Sequence, residues 1–169
     1  MDSNIQTYNN VLSESEYKQI FTNVQSKNIA WFKVPILEDE SAWQLSHYLY
    51  FEHNVTSDYF SLCQPLLDFL NAKIYHRVKL NCNVKKKNNN KLGGFHHDLL
   101  YNLKPVKELK VGIYYINTTN GKTLIKENNN IVEVECKANS LVTFPNTYEH
   151  TATQHTDKEF RYVLNMNYI

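Results

Sequence analysis

The stretch Gly93-Gly94-Phe95-His96-His97-Asp98 carries residue types that bind metal ions. In a strand, His96 and Asp98 stand two apart on one face while His97 points away, so an imidazole and a carboxylate converge from one rigid element. Such a pair needs a third ligand. His150 follows Phe144-Pro145-Asn146-Thr147-Tyr148-Glu149, with 51 residues between it and Asp98. Two imidazoles and one carboxylate on one side of an ion leave its opposite side open, and oxygen ligation by Asp98 keeps the ion hard enough to be ferrous. Ten residues separate His150 from Arg161, which opens the run Phe160 to Tyr168. An Arg on the strand after the distal His presents a fixed guanidinium fork to a carboxylate deep in a barrel, where leaving it unpaired is costly. The combination predicts a carboxylate pocket beside a metal. A His-Xaa-Asp pair alone arises often by chance, so the weight rests on the ordered constellation.

The remaining histidines read as bland. His155 lies six residues before Arg161 and is expected in a loop; His97 faces away from the metal; His76 belongs to an apolar strand face. His47 and His53 receive no role.

The elements that must position these groups change character along the chain. Ser13 followed by Glu16 forms a capping-box pattern, and Tyr17, Ile20, Phe21 and Val24 then recur at the spacing of one buried helix face. A short strand is expected around Trp31 to Ile36, and a second helix over Ser57 to Ala72 with Phe60, Cys63, Leu66, Leu67 and Leu70 inward, Pro65 marking a kink or late start. From Ile74 the period becomes two: Ile74, His76, Val78, Leu80, Cys82 and Val84 alternate with polar neighbours, as in a strand with one face on a core. Short β-branched or aromatic segments follow to the C-terminus, with Asn120-Gly121 and Asn128-Asn129-Asn130 as turn signals. The expected fold is α+β, mainly β: an antiparallel sandwich or jelly roll with N-terminal helices packed on one sheet. One domain is expected over 1–169, with 1–73 a mainly helical support and 74–169 the core.

Composition excludes several classes. The 169 residues include 12 Tyr, 8 Phe and 2 Trp within a 42% hydrophobic fraction, which argues against disorder. Lys and Arg together (18) nearly balance Asp and Glu (17), so no global basic field draws the chain to nucleic acid or an anionic membrane. The run Lys85 to Lys91 lacks interleaved aromatics and reads as a solvated loop. Cys63, Cys82 and Cys136 are odd in number and far apart, which suggests neither a disulfide framework nor a thiolate zinc site and fits a cytoplasmic setting. Neither an export signal nor a membrane span is evident.

With these residues in view, the sequence resembles the 2-oxoglutarate- and Fe(II)-dependent dioxygenases, in particular the small prolyl-4-hydroxylase-like members that tailed phages and bacteria encode. The resemblance covers about 74–169, through His96-His97-Asp98, the Gly112 to Asn117 strand, Asn120-Gly121-Lys122-Thr123, Phe144-Pro145, His150 and Arg161. It implies a double-stranded β-helix, in which His96, Asp98 and His150 bind Fe(II) and Arg161 meets the distal carboxylate of 2-oxoglutarate. Tyr115 takes the place from which a family Tyr also bonds that carboxylate. Tyr114 competes with it, because a one-residue slip in register sends the other ring inward, and ordinary aromatic core is an alternative for both. Thr123 matches the Thr of a family Gly-Gly-Xaa-Thr element; Asn120 replaces the first Gly, so a structural turn with little chemistry is expected there.

The implied activity is hydroxylation of a C–H bond with O2 and 2-oxoglutarate, releasing succinate and CO2, on a peptidyl prolyl or other peptide residue or a small molecule. The resemblance also places the chain in the host cytoplasm if phage-encoded. Asp98 is present where a halogenase of this fold lacks the carboxylate. A nucleobase dealkylase of the same superfamily is the nearer alternative, but such enzymes carry a second Arg six residues past the first, and Asn167 stands there. A catalytically silent jelly-roll binding module, or a closed zinc site using His155 as fourth ligand, is the competing reading from another class. Lys85 to Lys91 and Glu38 to Asn54 are candidate substrate lids.

Overall fold

The computed structural model describes residues 4–36, 39–85 and 91–169. In chain order the strands are β1 (Gln6–Asn9), β2 (Phe32–Ile36), β3 (Asp39–Phe51), β4 (Asn54–Val55), β5 (Tyr75–Val84), β6 (Lys91–His96) and β7 (Leu100–Tyr101). They continue as β8 (Lys104–Pro105), β9 (Lys110–Tyr115), β10 (Thr119–Glu127), β11 (Asn130–Cys136), β12 (Ser140–Pro145), β13 (His150–Thr153) and β14 (Phe160–Tyr168). Helix α1 spans Glu14–Val24, and a 3-10 turn over Asp58–Cys63 leads into α2, Gln64–Phe69.

Two antiparallel sheets face each other, ordered β1-β12-β9-β14-β5-β3-β2 and β11-β10-β13-β6, with β4 beside β3, and β7 and β8 form a separate two-stranded hairpin. This is the jelly roll the alternating segments predict. Two apolar layers follow from the pleat. Leu80, Tyr114, Leu141, Leu164 and Met166 point from the large sheet to the helices. Val111, Ile113, Tyr115, Val142, Phe144 and Val163 point inward, between the sheets.

Helix α1 forms as its sequence pattern predicts. The Ser13 and Glu16 side chains cap each other's backbone N–H, and Ile20 and Val24 are buried against the large sheet. The second helix is corrected: Pro65, which fits only the first turn of an α-helix, divides Ser57 to Ala72 into the 3-10 turn and the short α2. The mainly helical reading of 1–73 is also corrected, because β1 to β4 come from this segment and β3 extends the large sheet beside β5. The described part of the Glu38 to Asn54 lid candidate is therefore mostly strand, while the core of the Lys85 to Lys91 run lies outside the described residues. Asn120-Gly121 is not a turn but a bulge within β10. A Cβ at Gly121 would lie 3.1 Å from Thr153 O and from His155 Cβ, so glycine permits the close approach. No helix among the described residues is long and apolar enough to cross a membrane.

Candidate metal centre

Strand β6 delivers His96 at its last residue and β13 delivers His150 at its first, and these two residues are register partners across the small sheet. The His96 and His150 rings lie 4.6 Å apart. Asp98 sits beyond the end of β6, so its approach comes from the bend after the strand rather than from the pleat. Its Oδ1 is 4.0 Å from His96 Nε2 and 3.9 Å from His150 Nε2, and the three donor atoms all lie within 4.8 Å of one another. One borderline-to-hard donor set of two imidazoles and a carboxylate, with an open side, fits a ferrous ion. His96 Nδ1 donates to Gly94 O at 3.1 Å, which leaves its Nε2 lone pair for a metal. Burial drives the His150 pKa down to about 4 against the attraction of Asp98, so this ring is neutral at pH 7, as a ligand must be. Gly93, at φ +80°, turns the strand just before this group; a Cβ there would come 2.7 Å from Ile36 Cγ2.

The carboxylate of Asp98 is held from every side. Arg77 Nη2 pairs with Oδ1 at 2.8 Å, while the Nδ2 groups of Asn165 and Asn167 donate to Oδ2 at 3.0 and 2.8 Å. Burial opposes ionisation, yet Arg77, His150 and the two amides outweigh it and hold Asp98 well below the usual carboxylate range. The loop after Asp98 is stapled by the buried Asn146, whose amide bonds Leu99 and Val106 carbonyls and accepts Leu99 N–H. His97 faces away, hydrogen-bonded to Asn146 O.

Arg161 lines the same cavity as the three donors. Its side chain is fully buried, yet among the described residues it meets no carboxylate: Nη2 donates to Thr123 Oγ1 at 3.2 Å and Nε to Cys136 Sγ at 3.4 Å. Tyr115 resolves the register question. Its ring lies 5.8 Å from the guanidinium and its hydroxyl donates to Thr123 Oγ1 at 2.8 Å. Tyr114 points to the helical layer and donates to Asn139 Oδ1. Thr123 is corrected from an inert turn residue: it is a buried strand residue that accepts from both Tyr115 and Arg161, leaving its own O–H to donate to a ligand. His155 lies in a loop, as expected, but is fully buried and packed by Gly121, and burial, with Arg161 adding to it, disfavours its cation. It is not among the clustered donors, so among the described residues the closed zinc reading lacks its fourth ligand.

Sequence reasoning missed the polar face of β5. Arg77, Lys79, Asn81 and Asn83 alternate with the apolar residues, as a solvent face would, but they point between the sheets, and the last three line the cavity. One signal was available: the chain has only two arginines, Arg77 and Arg161, among 18 basic residues, and both reach this cavity's groups.

No family model and no curated protein matches the sequence. Solved structures do match in fold. A prolyl hydroxylase from Trichoplax adhaerens, in complex with a hypoxia-inducible factor peptide fragment, aligns over 98% of this chain and 83% of its own at 12% identity, with a TM-score of 0.72. The viral collagen prolyl hydroxylase of Paramecium bursaria Chlorella virus-1, as its 2-oxoglutarate complex, aligns over 98% and 94% at 9% identity, with a TM-score of 0.60. The fold is that of the 2-oxoglutarate- and Fe(II)-dependent oxygenases. The same oxygenase fold carries other reactions: the epimerase SnoN from nogalamycin biosynthesis, solved with Fe3+ and α-ketoglutarate, aligns over 98% and 78% at 9% identity, with a TM-score of 0.68. In this oxygenase fold His96, Asp98 and His150 form a site that could hold iron.

Proposed function

We propose that the chain is an Fe(II)- and 2-oxoglutarate-dependent hydroxylase of a C–H bond, with a peptidyl prolyl or other peptide residue as its leading substrate class. The observation that carries this reading is the sharing of one cavity by three convergent donors and a buried guanidinium without an acidic partner among the described residues. Prolyl hydroxylases among the structural neighbours support the substrate class. Bound iron and 2-oxoglutarate would supply dioxygen activation and the oxidising power, with succinate and CO2 as co-products.

The residues of the chain do the positioning. His96, His150 and Asp98 hold the metal, and Arg77, Asn165 and Asn167 fix the Asp98 carboxylate so that it needs no reorganisation. Arg161 and the Thr123 hydroxyl receive the far carboxylate of the cosubstrate, and Tyr115 orients Thr123. Burial pushes the Tyr115 phenol up, so it remains a donor. The dealkylase reading is disfavoured because Asn167, in place of a second Arg, is engaged with Asp98.

Anaerobic titration of the protein with Fe(II) and 2-oxoglutarate tests the reading. A visible charge-transfer band is expected in the wild type and absent in Asp98→Ala, and once O2 is admitted succinate should form with the wild type and not with Asp98→Ala. No band in the wild type, or equal succinate formation in both proteins, overturns it.

A further inference from the structure

Lys79 is a buried ammonium that the proposed reaction does not use. Its residue is 8% exposed, it lines the cavity shared by His96, Asp98, His150 and Arg161, and among the described residues it makes no ion pair and no hydrogen bond. Its Nζ lies over the Tyr48 ring, 5.6 Å from the centroid. Asp98 attracts the ammonium from a distance but makes no ion pair with it, its oxygens being engaged by Arg77, Asn165 and Asn167. Burial, with Arg77 adding to it, pulls the Lys79 pKa down to about 8, which reports the same missing partner. An uncompensated buried charge is costly, and a cavity-facing one is relieved by an anionic occupant.

Position separates this cation from Arg161. On β5, Asn83 is the register partner of Arg161 and Lys79 that of Asn165, whose amide holds Asp98. Lys79 therefore stands four residues along the strand, roughly 13 Å in Cα terms, toward the metal donors.

We propose that Lys79 forms a second anion subsite, which binds a carboxylate carried by the substrate beside the metal centre. The reacting unit is then a free amino acid, a peptide's C-terminal residue or an acidic residue, rather than a neutral residue inside a peptide. The inference rests on the oxygenase reading and names the substrate class of that same site.

The test is calorimetric titration of the full chain, loaded with Mn(II) and 2-oxoglutarate, with L-amino acids and short peptides as free acids and as the matching amides. At least one acid is expected to bind about tenfold or more tighter than its amide, as loss of one charge-assisted hydrogen bond implies. Lys79→Met should remove that preference, Lys79→Arg should keep it, and both should bind 2-oxoglutarate within about twofold of the wild type. Lys79→Gln replaces the Met variant if the latter does not fold. Equal binding of acids and amides, or no binding of any acid by the wild type, overturns the proposal. So does a Lys79→Met variant whose 2-oxoglutarate affinity falls tenfold, since the ammonium then serves the cosubstrate. Failure of the Mn(II)-loaded wild type to bind 2-oxoglutarate sinks the oxygenase reading instead, while the acid-against-amide comparison still tests Lys79.

Discussion

Replacing Arg161 with Met should make the ligand-free protein more stable and the cosubstrate nearly unable to bind. Arg161 is 2% exposed, and among the described residues its guanidinium hydrogen-bonds only a hydroxyl and a thiol and lies near an aromatic ring, so its charge is poorly compensated. Replacing buried charge with an apolar side chain of similar volume stabilises by about 1–4 kcal/mol. For a chain of this length each kcal/mol moves Tm by about 2–4 °C. The ligand acts in the opposite direction. At 100 times its Kd, 2-oxoglutarate stabilises the wild type by about 2.7 kcal/mol. Losing a buried charge pair costs about 3 kcal/mol of binding, or roughly 150-fold, which leaves the same concentration below Kd and only a few tenths of a kcal/mol of stabilisation. Thermal melts of both proteins in Mn(II), with and without 2-oxoglutarate, read both effects at once. A Met variant that is less stable than the wild type without ligand by 1 kcal/mol or more, or that keeps the full ligand shift, refutes the assignment.

Three further outcomes follow from the same geometry. Tyr115→Phe should weaken 2-oxoglutarate binding by about five- to tenfold in calorimetry, because Thr123 loses its orienting donor, whereas Tyr114→Phe should cost about 1 kcal/mol of stability and leave that affinity unchanged. Asn167→Ala should weaken Mn(II) binding by about 10- to 100-fold, and an unchanged Kd would mean that the amide does not hold Asp98 for the metal. Lys79 has a folded pKa of about 8 against an ordinary 10.5, so between these values the unfolded chain holds more protons and stability rises with pH. The gap corresponds to about 3 kcal/mol, and urea melts at pH 8 and pH 10 should show the rise in the wild type but not in Lys79→Met. Parallel behaviour of the two proteins would rule it out.

Local pattern carried much of this fold because period and capping act over a few residues. The strand Phe160 to Tyr168 and the box at Ser13 and Glu16 were readable for that reason. The candidate metal ligands His96, Asp98 and His150 were readable from residue type and order, but the means by which Asp98 reaches the two histidines was not, since it depends on a bend stapled by the distant Asn146. Arg77 and Lys79 were illegible for a different reason: a polar strand face looks the same whether it meets water or a polar cavity, and only the placement of the second sheet decides between them. Thr123 was misjudged because Asn120-Gly121 matches a hairpin signal, whereas its neighbours fold it into a bulge.

Strand β14 carries Arg161 at one end and, four and six residues on, the two asparagines that anchor Asp98. A single unbroken backbone thus acts as a gauge between the place for the distant acid group and the ligand cluster. Under the proposed assignment, diacids one carbon shorter or longer would reach only one end of it, so discrimination by chain length would be built into the ladder. Inserting or deleting one residue between Arg161 and Asn165 would turn one end to the helical layer and erase both binding steps together.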